Sequence, residues 1–287
     1  MDSITKSVNS ILFRNKKVVV QAFQAWKVPF TFLFYFRWFA CLYGISLTTF
    51  VWVENWPHVI FPLYFMTTWG ELLVAIYFIL ITTSMYIYRN NPNDIIYGGC
   101  RWKTTKIFCQ LAFSFEFLIF IFYWSLLASE DFANMSKRTP SGRALGITET
   151  ILLHAIAPLL ITFEVIFNMI EFQLRQGLIV GGLVGVLYIL VNFLVTKLTG
   201  TPVYPPLAWD SITTLLYLIV AAVLMFTGFF LGYFLQRWKS KKIDGRFRDS
   251  QVPQPLDGSA NDNENYYGNA LYIEKKSYNE LHRSGRR

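Results

Sequence analysis

The residues of this chain that could carry out chemistry are few, and most of them lie inside long apolar segments. Thr67 and His154 are the candidate nucleophile and base, because an imidazole can take the proton of a neighbouring hydroxyl group. Thr68 is adjacent to Thr67 and is an alternative nucleophile. Glu71 and Glu164 are candidates for orienting the imidazole. The alternative is that these side chains are ordinary hydrogen-bond partners inside a helix bundle.

Six apolar segments have to position these residues. Hydrophobic residues make up 54% of the 287 positions and charged residues only 15%, whereas a soluble domain usually carries about 25% charged residues. About 20 apolar residues in a helix cover a hydrocarbon core of about 30 Å, and each segment must satisfy its own backbone groups. The segments are 32–53, 61–86, 107–128, 149–168, 177–198 and 211–235. The sequence therefore predicts an all-α, polytopic membrane bundle of six transmembrane helices over 32–238.

The distribution of Lys and Arg predicts the orientation of this bundle. Sixteen such residues lie in the segment 1–31, in the loops 87–106 and 169–176 and at the start of the tail, and four lie in or beside the other loops. The positive-inside rule then places both termini in the cytoplasm. Arg37 is predicted to snorkel from the first segment to the cytoplasmic interface. The net charge of +8 is thus an orientation signal, and no nucleic-acid partner is predicted.

The fourth apolar segment has one polar face. At about 100° per residue, its polar and small side chains share an arc of roughly 100°. These residues are Thr150, His154, Ala157, Ile161, Glu164, Asn168 and Glu171. The arc predicts a face that points into the bundle, where it either lines a cavity or bonds to other helices.

Thr67 and His154 are predicted to lie at the same depth. Both segments enter the bilayer from the side opposite the cytoplasm, near residues 61 and 149. Thr67 is then roughly 9 Å deep and His154 roughly 8 Å deep, at 1.5 Å per residue. A hydroxyl and an imidazole at one level can act as nucleophile and base if their helices are neighbours.

The segment 239–287 differs from the membrane domain. It is rich in Pro, Asn, Asp, Gly and Ser without a helical apolar period, so we predict a disordered cytoplasmic tail. The stretch Tyr278-Asn279-Glu280-Leu281 resembles a tyrosine-based sorting signal for endocytic adaptors, with a chance match as the alternative. Asn134-Met135-Ser136 is a glycosylation sequon in a predicted outside loop. No metal-ligand spacing or phosphate-binding glycine loop occurs, so neither a metal nor a cofactor is predicted.

Four segments of the membrane domain, in this order, carry a resemblance to a known family. They are Phe36–Tyr43 (FRWFACLY), Phe65–Gly70 (FMTTWG), Leu153–Ile156 (LHAI) and Thr201–Asp210 (TPVYPPLAWD). Together they resemble the androgen-induced and androgen-dependent transmembrane proteins, nearest to the rolling stone branch. The resemblance covers roughly 35–235, which is nearly all of the membrane domain.

The resemblance implies a function. Characterised members of the family are intramembrane threonine hydrolases that cleave fatty-acid esters of hydroxy fatty acids. Their threonine follows an aromatic-Leu pair, which matches Phe65-Met66-Thr67, and their histidine opens the fourth helix, which matches His154. The implied partners are membrane lipids and a fatty-acid ester substrate.

One position departs from the hydrolase pattern. Characterised hydrolases carry a second histidine three residues after the first, and here that position is Ala157. The rolling stone branch, first linked to myoblast fusion, also lacks this histidine. Two functions therefore stay open: a lipid ester hydrolase, or a non-catalytic multi-pass protein of the plasma membrane or endomembranes that acts in cell contact, fusion or trafficking.

Overall fold

A computed structural model describes residues 26, 28–56, 58, 60–90 and 99–249. The described residues form eight α-helices and no strand. The helices are α1 (Phe30–Glu54), α2 (Met66–Asn90), α3 (Gly99–Phe122), α4 (Ala128–Ser136), α5 (Pro140–Ile151), α6 (Ala157–Phe167), α7 (Leu174–Thr199) and α8 (Ile212–Asp249). Short 3₁₀ turns occur at Phe61–Tyr64 and Pro205–Leu207, and π-helical segments at Tyr123–Leu127 and Leu152–Ile156.

The predicted six-span, all-α membrane architecture is confirmed. Because one π-helical segment joins α3 to α4 and the other joins α5 to α6, the described helices form six continuous stretches that are long and apolar enough to cross a bilayer. These are Thr31–Glu54, Met66–Ile87, Cys100–Ser136, Pro140–Phe167, Leu174–Thr199 and Ile212–Lys242. We call the end of the bundle that the charge distribution predicts to face away from the cytoplasm the outer end.

The third and fourth spans are longer at the outer end than predicted. The region 129–148, expected to be a loop, is helical except around Lys137–Thr139. Pro140 lies in the first turn of α5, and the Thr139 hydroxyl accepts a hydrogen bond from the Gly142 amide at 3.3 Å. A capping hydroxyl followed by proline is a strong helix start, even where apolar periodicity is weak.

The core lies between α1, α2, α3 and α6. Its largest fully buried apolar side chains include Tyr77, Phe78 and Ile81 from α2 and Phe115 from α3. Helices α7 and α8 present many exposed leucine, isoleucine and valine side chains instead. A helix that is apolar on its exposed face fits a lipid environment.

Arg37 corrects one prediction, because it is fully buried and does not reach the interface. Its guanidinium forms an ion pair with Glu164, with Nη2 at 2.5 Å and Nε at 3.0 Å from Oε1. The Tyr77 hydroxyl also donates to Glu164 Oε1, at 2.7 Å, and Asn168 Nδ2 donates to the same atom at 3.1 Å. A buried charge is tolerated when it is paired and hydrogen-bonded, and here the partner comes from α6.

Lys239 of α8 is also fully buried, and its ammonium group caps the end of α6. The last carbonyls of a helix lack intrahelical donors. Lys239 Nζ donates to Val165 O at 2.7 Å, Asn168 O at 2.6 Å and Ile166 O at 3.2 Å. We call Arg37, Tyr77, Glu164, Asn168 and Lys239 the inner network. It links α1, α2, α6 and α8.

The chain divides into two units, Met1–Ile243 and Asp244–Arg287. Helix α8 continues to Asp249, so the prediction of disorder is wrong for 239–249. The predicted sorting signal at Tyr278–Leu281 lies outside the described residues.

Candidate functional site

Thr67 and His154 lie next to each other, with 3.2 Å between Thr67 Oγ1 and His154 Nε2. The two helices begin at other residues than the predicted depths assumed. Helix α2 begins at Met66 and not near 61, and the fourth span begins at Pro140 and not near 149. Thr67 therefore stands at the N-terminal end of its helix, whereas His154 lies well inside its span.

The second ring nitrogen of His154 fixes the direction of this hydrogen bond. His154 Nδ1 lies 3.2 Å from Thr150 O. A backbone carbonyl only accepts, so Nδ1 carries a proton, and in the neutral ring Nε2 is then the acceptor. The Thr67 hydroxyl then donates to Nε2, which is the arrangement of a nucleophile and its general base.

A π-helical turn holds the imidazole in place. His154 belongs to the segment Leu152–Ile156, and its ring stacks on Tyr123 with centroids 3.6 Å apart. Trp124 Nε1 donates to His154 O at 2.9 Å, and the Tyr43 hydroxyl donates to Leu152 O at 2.7 Å. The wider π-helical turn disturbs the regular backbone ladder, and side-chain donors from two other spans bond to its carbonyls.

The chain before α2 exposes the start of that helix to the site. Phe65 is extended and follows the 3₁₀ turn Phe61–Tyr64. The first amides of a helix have no intrahelical acceptor and carry partial positive charge. Among them, the Met66 amide donates to the Tyr204 hydroxyl at 2.9 Å. Thr67 is the next residue, so its hydroxyl lies beside the positive end of α2.

Tyr204 comes from the loop between the fifth and sixth spans. Its ring packs edge-on against Phe65, with centroids 6.1 Å apart. Burial raises the pKa of the Tyr204 phenol above its ordinary value, although the hydrogen bond from the Met66 amide opposes this. The phenol therefore stays protonated at neutral pH and can act as a donor. Tyr204 was not among the site residues predicted from the sequence, although the Tyr-Pro-Pro turn that carries it was a signal that could have indicated it.

The same loop is held by Trp209, which has a positive φ of 60°. Such a backbone is strained for a residue with a side chain. The Trp209 amide donates to Thr214 Oγ1 at 3.1 Å, and its indole donates to Asn192 Oδ1 at 2.9 Å. These bonds fix the loop that carries Tyr204.

Thr67, His154 and Tyr204 open into a cavity of about 740 Å³ at the outer end of the bundle. Much of its wall is apolar, including Leu118, Ile119, Phe122, Leu153, Val186, Ile189, Leu218, Ala221, Met225 and Phe226. The charged residues that line it are Glu130, Asp131, Arg138 and Glu149, each exposed or partly exposed. Asn134 of the sequon is exposed and lines the cavity as well. A volume of this size with a largely apolar lining and a few polar groups is typical of a ligand-binding cavity.

The other predicted site residues have different surroundings. Thr68 is buried and lines the cavity, but the hydrogen bond to His154 comes from Thr67. Glu164 bonds to Arg37 in the inner network, and Glu71 has no hydrogen-bond partner among the described residues. The orienting position at Nδ1, predicted for one of these two carboxylates, is taken by the Thr150 carbonyl.

Comparison with protein-family models, with curated proteins and with solved structures gave no match. Within the described ranges, no three or more His, Cys, Asp or Glu residues are grouped as metal ligands. The fold alone therefore defines the class: a multi-pass α-helical membrane protein.

Proposed function

We propose that this protein is an intramembrane threonine hydrolase of lipid esters, with fatty-acid esters of hydroxy fatty acids as its substrate class. The observation that carries the proposal is the hydrogen bond from Thr67 Oγ1 to His154 Nε2, with Nδ1 held by Thr150 O. The pair lines a largely apolar cavity, whose lining suits an ester group within an acyl chain.

The reaction begins with attack by Thr67 Oγ1 on the ester carbonyl carbon. The hydroxyl proton passes to His154 Nε2, and the carbonyl oxygen becomes an oxyanion. The Tyr204 phenol, which accepts a hydrogen bond from the Met66 amide, and the positive end of α2 lie beside the nucleophile. They are suited to stabilise that oxyanion, because fixed donors act strongly in a site with little water.

The tetrahedral intermediate then collapses. The bond from carbon to the leaving oxygen breaks, and His154 gives its proton to that oxygen, so the hydroxy fatty acid departs. The acyl group stays on Thr67 as an ester. A water molecule, deprotonated by His154, attacks this acyl-threonine. The bond from the acyl carbon to Thr67 Oγ1 breaks, His154 returns the proton to that oxygen, and the fatty acid is released.

A non-catalytic role in cell contact, fusion or trafficking is the second candidate. Ala157, at the position where characterised hydrolases carry a second histidine, is fully buried among the helices. In that case the bond between Thr67 and His154 serves only to join α2 to the fourth span.

The test is hydrolysis of a branched fatty-acid ester of a hydroxy fatty acid by the purified protein in lipid nanodiscs. We expect Thr67→Ala and His154→Ala each to lower the rate by about 10³-fold or more. Thr67→Ser keeps a hydroxyl and should retain measurable activity. Thr83→Ala, an exposed threonine of the same helix, is the matched control.

Two outcomes count against the proposal. A wild-type rate no higher than that of empty nanodiscs would remove the hydrolase function and favour the non-catalytic candidate. Activity that survives Thr67→Ala but not Thr68→Ala would move the nucleophile to the neighbouring threonine.

A further inference from the structure

Two carboxyl groups that the proposed reaction does not use lie buried in the membrane domain. Glu71 of α2 and Glu116 of α3 are 2% and 1% exposed. Within the described part of the chain, neither oxygen of Glu71 has a hydrogen-bond partner, and neither does Glu116 Oε2. An isolated carboxylate in an apolar interior is very costly, so these groups require a counter-charge or protonation.

The two carboxyl groups lie at the same level of the bundle. Gly70, the residue before Glu71, has no side chain, and a Cβ placed there would lie 2.6 Å from Glu116 Oε1. The carboxyl group of Glu116 therefore lies directly against the backbone of α2.

Helix α1 brings a third oxygen to this level. Gly44 of α1 packs on α2, where its added Cβ would be 3.0 Å from Ala75 Cα. The two helices run in opposite directions. One helical turn from this contact toward the outer end is therefore Thr48 in α1, four residues after Gly44, and Glu71 in α2, four residues before Ala75. Thr48 Oγ1 is buried and also lacks a hydrogen-bond partner among the described residues.

The chemistry of these groups favours a metal ion over protonation. A shared proton requires a short hydrogen bond, with oxygens about 2.5–2.7 Å apart, and the described residues show no such bond between Glu71 and Glu116. A separate proton on Glu71 would leave a buried O–H donor without an acceptor among the described residues, which is costly. A cation instead sits between oxygens that stay further from one another. Oxygen donors alone suit a hard cation such as Ca²⁺ or Mg²⁺, and a charge of +2 neutralises both carboxylates.

We propose that Glu71 and Glu116, together with Thr48 Oγ1, form an intramembrane binding site for a hard divalent cation, Ca²⁺ or Mg²⁺. Water completes the coordination, because the three side chains offer at most five oxygens. The bound cation ties α1, α2 and α3 together one helical turn from Thr67. This cation site does not depend on the proposed hydrolase function, because none of its three residues takes part in the proposed reaction.

The experiment measures thermal unfolding of the full-length protein in nanodiscs after treatment with a chelator. Addition of CaCl₂ or MgCl₂ well above the dissociation constant should raise the wild-type melting temperature by about 5 °C. The rise should be absent in Glu71→Gln and in Glu116→Gln, and smaller in Thr48→Val. Glu171→Gln, which removes an exposed carboxylate, should keep the full rise.

A second measurement covers the case in which a glutamine variant folds poorly. Equilibrium binding of radioactive Ca²⁺ to the wild type should be saturable and should be displaced by unlabelled Ca²⁺. The proposal is overturned if the wild type neither binds Ca²⁺ nor is stabilised by Ca²⁺ or Mg²⁺. An equal rise with NaCl at the same ionic strength, or a full rise in Glu71→Gln, would also overturn it.

Discussion

The inner network is fully buried, whereas the pair of Thr67 and His154 is only partly buried, and the two sets of polar groups differ in how many of their hydrogen bonds are satisfied within the protein. In the inner network, the charge of Arg37 is paired with Glu164, and Lys239 bonds to the carbonyls at the end of α6. Thr67 and His154 share one hydrogen bond and line a cavity of about 740 Å³. Polar groups that are mutually satisfied stabilise a bundle, whereas groups that keep free bonding capacity next to a cavity are available to a ligand. Substitutions in the two regions should therefore separate stability from activity.

The largest effect on stability is expected for Glu164→Ala. The substitution leaves the Arg37 guanidinium buried without a counter-charge, which costs about 3–5 kcal/mol. Thermal unfolding in nanodiscs measures the loss. The double variant Arg37→Met with Glu164→Met removes both charges and should recover most of the stability. A Glu164→Ala protein that melts like the wild type would show that the ion pair is not part of the stabilising network.

The next effect concerns activity and falls on Tyr204→Phe. Loss of one oxyanion donor typically lowers kcat by about 10²–10³-fold. Because burial raises the pKa of Tyr204, the phenol stays protonated below that pKa, and its contribution is lost only as pH rises through it. We expect the wild-type rate to hold up to about pH 10, the ordinary value for tyrosine. An unchanged kcat in Tyr204→Phe, with Tyr86→Phe as the exposed control, would assign the oxyanion to the helix amides alone.

A moderate effect on stability is expected for Lys239→Met. The variant keeps an apolar stem of similar length but removes the donor for the carbonyls that end α6. Unsatisfied buried carbonyls cost about 1–3 kcal/mol. Lys241→Met changes an exposed lysine of the same helix and should leave the melting temperature nearly unchanged. Equal melting temperatures for the two variants would contradict the capping role.

The smallest effect on stability is expected for Thr67→Val. The substitution preserves shape and removes one partly buried hydrogen bond, so we expect a loss below about 1 kcal/mol. The same variant should be inactive under the proposed mechanism. Thermal unfolding beside Thr83→Val, on the exposed face of α2, provides the comparison. A loss as large as that of Glu164→Ala would place Thr67 among the stabilising groups.

Much of the fold could be predicted from the sequence because bilayer thickness fixes the length of an apolar helix. The six spans, and the inward face of the fourth with Ala157, Ile161 and Glu164 fully buried, result from that length and from helical periodicity. The helical region between Ala128 and Ile151 could not be predicted in this way, since its polar residues carry no apolar period. The burial of Arg37 was not predicted, because hydropathy contains no information about its ion-pair partner Glu164, which lies 127 residues away.

The candidate site was predictable in its chemistry and less so in its geometry. The residue types, and the side from which the second and fourth apolar segments enter the bilayer, were enough to identify Thr67 and His154 as candidates. No local pattern indicated that a backbone carbonyl would hold the imidazole, since the donors and acceptors of a π-helical turn depend on packing with other spans. The hydrogen bond of Tyr204 could not be predicted for a similar reason, because the residue lies 138 positions from the amide to which it bonds.

The π-helical turn at Leu152–Ile156 also bears on how such a site can arise. A π-helical turn amounts to one extra residue in an α-helix, and one residue corresponds to about 100° of rotation. The insertion therefore sets the direction of His154 around the helix axis independently of the following helix α6, in which Glu164 still faces Arg37. A single-residue insertion can in this way turn one side chain toward a cavity without repacking the inner half of the protein.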